Sequence, residues 1–206
     1  MRYAVLATLV AGLAACSKAP QEFEKLEEAG KFQSEADVRK KFDSLASSAN
    51  TIPEVNNPRR AYEHEGYLIV KNIKTLLRFK GASGGLWVQG DITAQGVDAS
   101  DTEMDVRLSG NTLAEVRVGG GVIWLEKLPN LKAIGSFKLV FRKRGILVVN
   151  SITRDELKIL KGRTQGPMEV VAFECDLEPG RYKCSEQEWG NEYQGISVLT
   201  VFAKKP

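Results

Sequence analysis

The sequence predicts an α+β protein in which N-terminal amphipathic helices precede a mainly antiparallel β-sheet, curled or closed like a small barrel. Three observations lead to this class: apolar residues at helical spacing before residue 49, alternating apolar and polar residues in most segments after residue 67, and turn residues between those segments. The chain has 206 residues, of which 43% are apolar and 27% charged. These proportions are typical of a folded chain and exclude a disordered or multi-pass membrane protein.

Two amphipathic helices are predicted at residues 21–29 and 35–48. Phe23 and Leu26 would form the apolar side of the first helix, and Ser34 with Asp37 has the spacing of a capping box for the second. The next segment, residues 50–60, contains two prolines and an asparagine pair. We therefore predict a linker there, followed by a β-rich domain over residues 61–206.

The clearest strand prediction is a hairpin between residues 104–108 and 114–118. With a three-residue loop at 110–112, Asp105 would face Arg117 and Arg107 would face Glu115 on the polar side. The other side would be apolar on both strands, with Met104, Val106 and Leu108 facing Val118, Val116 and Ala114.

The same reasoning predicts a second hairpin that joins residues 137–142 to residues 146–151. Further strands are predicted at residues 86–93, 122–128, 168–175 and 196–203. Thr153 and Glu156 have capping-box spacing and Gly162 ends the segment, so a short helix is predicted between strands. Residues 67–80 fit both a strand and a helix, and the alternation favours the strand.

The N-terminus has the features of a targeting segment. Arg2 precedes an apolar run that ends at Ala15 and is too short to span a bilayer. The run closes on Leu13-Ala14-Ala15-Cys16, which resembles the lipobox of bacterial lipoprotein precursors. This resemblance covers residues 1–16 and implies a signal peptide at residues 1–15, cleavage before Cys16, and acyl chains on Cys16 that anchor the protein in a membrane.

The resemblance also implies a domain order and a location. A lipid tether and helical segment would occupy residues 16–49, and Ser17 after the modified cysteine resembles the outer-membrane sorting type. We therefore expect a lipid-anchored protein of the cell envelope, at the outer membrane and facing the periplasm.

Two further cysteines remain once Cys16 is assigned to the lipid. An even pair in a chain exported to an oxidising compartment predicts a disulfide. Cys175 and Cys184 are centred on the turn residues Pro179-Gly180, so the expected structure is a C-terminal disulfide hairpin.

The sequence gives no combination of residues that predicts catalysis. Residues 81–85 match the Gly-x-Ser-x-Gly pattern around Ser83, but a strand pattern follows where hydrolases have a helix, and His64 lies upstream. No cluster has the spacing of metal ligands. The formal charge of +3 argues against nucleic acid as the main partner. We therefore expect neither an enzyme nor a cofactor.

One compact basic cluster suggests where a partner could bind. Lys138, Arg142, Lys143 and Arg144 would lie at a hairpin tip, where they could contact an acidic partner or simply protect an exposed sheet edge. The expected function is a protein-interaction module of the envelope: an assembly accessory, an inhibitor or an immunity protein. The alternative is a carrier or sensor that binds an apolar ligand within a curved β-sheet.

Overall fold

Stacked parallel strands form a β-solenoid in this chain. The computed structural model describes residues 23–47, 49–57, 59–93, 95–185 and 195–206. This part is mostly β, with two helices, so the predicted α+β class with N-terminal helices and an antiparallel sheet is wrong. The elements are β1 (Phe23–Leu26), α1 (Glu35–Ala46), β2 (Asn50–Val55), β3 (Tyr62–Ile73), β4 (Leu77–Val88), β5 (Val97–Leu108), β6 (Glu115–Leu125), β7 (Lys138–Phe141), β8 (Gly145–Ile152), α2 (Arg154–Lys161), β9 (Thr164–Gln165), β10 (Met168–Cys175), β11 (Gly180–Cys184) and β12 (Ile196–Lys204).

The main strand order is β1-β11-β12-β10-β8-β6-β5-β4-β3-β2. Pairing is parallel from β2 through β10 to β12, whereas β11 and β1 are antiparallel to their neighbours. Leu68 lies beside Leu86 and Leu86 beside Val106, so residues 18 and 20 positions apart are stacked. The chain therefore makes one circuit between successive strands, as in a repeat protein whose units contact their neighbours.

Both predicted hairpins are wrong for the same reason. β5 and β6 are long parallel neighbours in which Asp98 lies opposite Arg117 and Arg107 lies opposite Trp124. β7 and β8 do not pair with each other; they lie in line along β6. Alternation correctly predicts which side of a strand is buried, but it is identical for parallel and antiparallel neighbours.

A bend divides each long strand into two halves, and it contains glycine in β3, β4 and β6. In β6 the bend is at Gly119–Gly121, where Gly121 has φ of +103° and an added Cβ would lie 2.0 Å from the carbonyl oxygen of Met104. Only glycine fits such a close approach between turns without strain. The bend gives the solenoid two outer faces.

The first halves of the strands form what we call the charged face. Its outward row is Glu63, Arg78, Asp98 and Arg117, one residue from each of β3 to β6 in register. The second halves form the aromatic face, whose outward row runs through Ile69, Trp87, Arg107, Trp124, Val148 and Val171.

Side-chain amides and carboxylates link the turns at a further corner. Asp91 N–H donates to Asn72 Oδ1 at 3.0 Å, and Asn111 N–H donates to Asp91 Oδ1 at 2.8 Å. Ile73, Ile92 and Thr112 stack beside this ladder through parallel bridges. The ladder satisfies backbone donors where the chain leaves the main strands.

The N-terminal segment crosses the solenoid from one end to the other. The predicted first helix is wrong over residues 23–26, which form β1 at the edge of β11. The second helix prediction is confirmed over Glu35–Ala46, and Ser34 and Asp37 form the capping box. Val38 and Phe42 of α1 pack on the aromatic face with Trp124, and β2 then pairs with β3 at the other end.

The predicted C-terminal disulfide hairpin is also wrong. β12 lies between β10 and β11, with Cys175 opposite Lys204 and Lys183 opposite Val198. This register separates Cys175 from Cys184 by roughly 20 Å along the strands, whereas a disulfide needs Cα atoms within about 7 Å. The two cysteines are buried and not bonded to each other. Burial raises the pKa of the Cys175 thiol to about 11.

The inward rows of both halves pack into one apolar cluster that includes Leu86, Val106 and Ile123. Leu157 and Leu160 of α2 join this cluster, and Thr153 and Glu156 form the predicted capping box. The strands predicted at residues 168–175 and 196–203 are found as β10 and within β12, whereas those predicted at residues 86–93 and 122–128 are strand only over residues 86–88 and 122–125. Residues 67–73 belong to β3 and residues 77–80 to β4, with a short connection between them. Residues 50–55, within the predicted linker, form β2.

Candidate functional site: an open sheet edge

The predicted basic cluster lies at the bend between β7 and β8, not at a hairpin tip. Arg142 is paired with Asp101, and Arg144 with Glu169 at 3.0 Å, so two of its cations bridge neighbouring turns. Lys138 lies opposite Glu115, and Lys143 is exposed. The cluster is therefore partly neutralised by the fold.

A cleft of about 370 Å³ opens at the same bend. It is lined by Asp101 and Glu103 as well as by Arg142 and Lys143. A larger open cleft of about 760 Å³ beside α2 likewise contains both Lys127 and Asp155. Neither cleft has the single sign of charge that would select an acidic partner.

The catalytic and metal candidates are not assembled into a site. Ser83 lies exposed in the bend of β4. His64 Nε2 lies 3.2 Å from the carbonyl oxygen of Tyr67, and the imidazole packs edge-on against Phe79. Within the described ranges, no three His, Cys, Asp or Glu side chains are grouped as metal ligands.

Cys16 and the signal segment lie outside the described residues. Among the helices of the described part, none is long and apolar enough to cross a membrane. The anchor is therefore still a prediction from the sequence.

The feature that the structure adds is an open sheet edge at the β2 end. β2 pairs with residues 68–73 of β3, which is only the second half of that strand. On the outer side of residues 62–66, no strand of the described part is paired with β3. We call residues 62–66 the open edge.

The backbone of the open edge has donors and acceptors that point away from the sheet. Tyr62 N–H donates to the carbonyl oxygen of Leu76 at 3.0 Å, so its peptide group points inward, toward β4. Because peptide groups alternate along a strand, the N–H and C=O of Glu63 and Glu65 point outward. An edge of this kind can accept another strand.

Tyr62 and His64 close the apolar interior at this end. Tyr62 lies over Leu77 and His64 over Phe79, as the last members of two inward rows. Their rings are stacked at 6.3 Å, and Tyr62 is 37% exposed. In the second half of the solenoid, β2 covers the corresponding inward residues. Among the described residues, no strand covers the first half of this terminal turn.

The carboxylates of the open edge lie on the outer side of the strand. Lys80 Nζ lies 2.7 Å from Glu63 Oε2, and this hydrogen bond holds the pKa of Glu63 below its ordinary value. Glu65 is exposed, and Gly66 has open space where a Cβ would be. The edge is thus accessible and carries two acidic side chains, of which Glu63 is paired with Lys80.

The other sheet edges are less suited to adding a strand. β2 contains Pro53, which has no N–H and so interrupts a ladder on its outer side. β1 has four residues, Phe23–Leu26, and lies at the opposite end of the sheet. Sequence reasoning could not find the open edge, because it depends on which half of β3 is covered by β2.

Comparison of the chain with protein families, with curated proteins and with solved structures finds no match to any of them.

Proposed function

We propose that this chain is a lipid-anchored envelope protein whose solenoid binds a partner protein by accepting a strand at the open edge. The observation that supports this function most directly is the exposed half of β3, with its outward peptide groups and the aromatic rings of Tyr62 and His64. Assembly accessories, inhibitors and immunity proteins all belong to this class.

The position of the proposed anchor favours this use of the edge. β1 begins at Phe23, seven residues after Cys16, which limits the tether to about 25 Å. The open edge, on β3, lies eight strand spacings from β1, or about 38 Å at ~4.8 Å per strand. An anchor at Cys16 would hold the β1 end near the membrane and leave the open edge free to contact another protein.

The two faces of the solenoid offer less to a partner. Charges alternate along the row of the charged face, so it attracts neither acidic nor basic surfaces strongly. On the aromatic face, α1 covers Trp124, which is fully buried. The alternative of an apolar-ligand carrier gains no support from the inward rows, which pack into one cluster.

Photo-crosslinking in intact cells tests the proposed function. A photoreactive amino acid replaces Tyr62 at the open edge, Lys143 at the basic bend, or Lys25 on β1, in three separate variants. We expect one protein adduct of defined mass from position 62 and none from position 25. Adducts from position 143 alone would move the contact to the basic bend, and the absence of adducts from all three positions would contradict partner binding.

A further inference from the structure

The chemistry of the open edge specifies the kind of strand that it accepts. This inference depends on the proposed function, since it describes the partner of the same edge. Its evidence is the alternation of charge across the first halves of β3, β4, β5 and β6.

Outward charges alternate in sign from strand to strand. Glu63 lies opposite Arg78, Arg78 opposite Asp98, and Asp98 opposite Arg117. The row ends at the open edge on an acid, and Glu65 of the same strand lies opposite Lys80. A base on an added strand would continue the alternation, because opposite charges on neighbouring strands stabilise the pair.

Inward residues set the second requirement. Tyr62 and His64 lie over Leu77 and Phe79, and no strand of the described part pairs on their other side. An added strand would place alternate side chains on these two rings. Apolar side chains there would remove the exposed part of Tyr62 from water.

A second copy of the chain does not meet these requirements. Two open edges paired antiparallel about His64 would put Glu63 of each copy opposite Glu65 of the other. Like charges directly across a strand pair are destabilising. Self-pairing of the open edge in this register is therefore disfavoured.

We propose that the open edge binds an extended segment of a partner protein in which apolar and basic residues alternate. β4 already provides this pattern on the inner side of the same strand, as Leu77, Arg78, Phe79 and Lys80. The added segment would repeat that pattern on the outer side.

Hydrogen exchange with peptides tests this specificity. The probe is a capped peptide with the sequence of residues 77–82, added to the full-length protein in mild detergent. We expect it to slow amide exchange at Glu63 and Glu65 and to leave Tyr62 and His64 little changed, because only the former N–H groups point outward. A peptide with Glu in place of Arg and Lys, and one of the same composition in scrambled order, should bind at least about tenfold more weakly.

Charge reversal provides the matched control. Glu63→Lys with Glu65→Lys should weaken the basic peptide about tenfold and reverse the preference toward the acidic peptide. Glu24→Lys with Glu27→Lys changes net charge equally at the β1 end and should leave binding unchanged. Circular dichroism and the melting temperature verify that both variants fold.

The outcomes separate this inference from the proposed function. Equal binding of basic and acidic peptides would overturn the proposed specificity, and so would the absence of protection at the outward amides. A crosslink from position 62 would in that case still support the open edge as a contact. Crosslinks between the 62 positions of two copies would overturn it in favour of self-association. If the protein distinguishes the peptides but no adduct forms in cells, the specificity of the open edge stands and the proposed cellular function is rejected.

Discussion

The charged face and the aromatic face are built from the same strands, yet one is open to solvent and the other is covered. On the charged face, Lys80 pairs with Glu63, and each side chain is more than 40% exposed. On the aromatic face, α1 buries Trp124 completely. The bend in each strand separates these environments within a few residues. The difference shows that the cover is supplied by a segment remote in sequence rather than by the strands themselves.

Even a charge is sheltered on the aromatic face. The Arg107 guanidinium lies 4.4 Å from the ring centroid of Trp87 and 4.6 Å from that of Trp124. It also donates to Glu126 Oε1 at 2.7 Å, and its side chain is 15% exposed. Cation–π contacts and an ion pair together compensate for its removal from water.

Removal of the Trp124 indole should have the largest effect, because it would uncover the aromatic face. Trp124→Ala would delete the side chain on which Phe42 and Phe173 pack and the donor to Asn150 Oδ1. We expect a loss of about 3–5 kcal/mol in the free energy of unfolding, measured by chemical denaturation. Limited proteolysis should then cut near α1. A loss below about 1 kcal/mol would mean that α1 is not held by this contact.

The bend between the faces should be nearly as sensitive. Gly121→Ala would force a Cβ against the Met104 carbonyl at positive φ, and we expect a loss of about 2–3 kcal/mol in unfolding free energy. Gly135→Ala is the matched control, because nothing lies within 4 Å of its added Cβ. If both variants unfold at the same denaturant concentration, the bend tolerates a side chain.

The ion pair that joins α1 to the aromatic face should contribute less. Lys41 Nζ lies 2.6 Å from Asp105 Oδ2, and both side chains are less than 30% exposed. A double-mutant cycle with Lys41→Ala and Asp105→Ala should give a coupling of about 0.5–1 kcal/mol. The same cycle on Lys80 and Glu63 should give a smaller value, because that pair is better solvated. Equal couplings would remove this distinction between the faces.

The smallest effect is expected from the row of the charged face. Arg117→Glu would place an acid beside Asp98 and Glu115, and we expect a loss below about 1 kcal/mol that shrinks in high salt. Arg117→Gln is the control, because it removes the cation without adding a negative charge. A loss for Arg117→Glu that does not depend on salt would point to packing instead of charge.

Local signals were the part of the fold that the sequence could predict. The capping boxes of Ser34 and Thr153 depend on residues three positions apart, and both are present. Burial of Met104, Val106 and Leu108 on one side of a strand depends on alternation alone. The helix expected around Phe23 failed because two apolar residues three positions apart also fit a four-residue strand, and pairing with β11 favours the strand.

Strand orientation was not predictable from alternation, but a repeat in the sequence could have indicated it. Residues 90–94 read Gly-Asp-Ile-Thr-Ala and residues 110–114 read Gly-Asn-Thr-Leu-Ala, 20 positions later. The corner ladder of Asp91 and Asn111 explains this similarity. Similar segments about 20 residues apart favour a solenoid over a short hairpin between neighbouring strands.

The candidate site was predictable only in kind. An open sheet edge was a reasonable contact for a partner-binding β protein. Its residues, however, are exposed because β2 covers only the second half of β3. The basic cluster was visible in the sequence, whereas its neutralising partners Asp101 and Glu169 come from other turns. Contacts of this kind depend on strand order, which local patterns do not specify.

The position of β1 has a consequence for how the chain acquires its structure. Phe23 pairs with Cys184, so the first described strand cannot find its place until almost the whole chain is available. The turns from β2 to β10, in contrast, can each add to the one before as they emerge. A chain delivered from its N-terminus would therefore build most of the solenoid while its leading segment stays unpaired. The pairing of β1 with β11 would then form only after the intervening turns are in place.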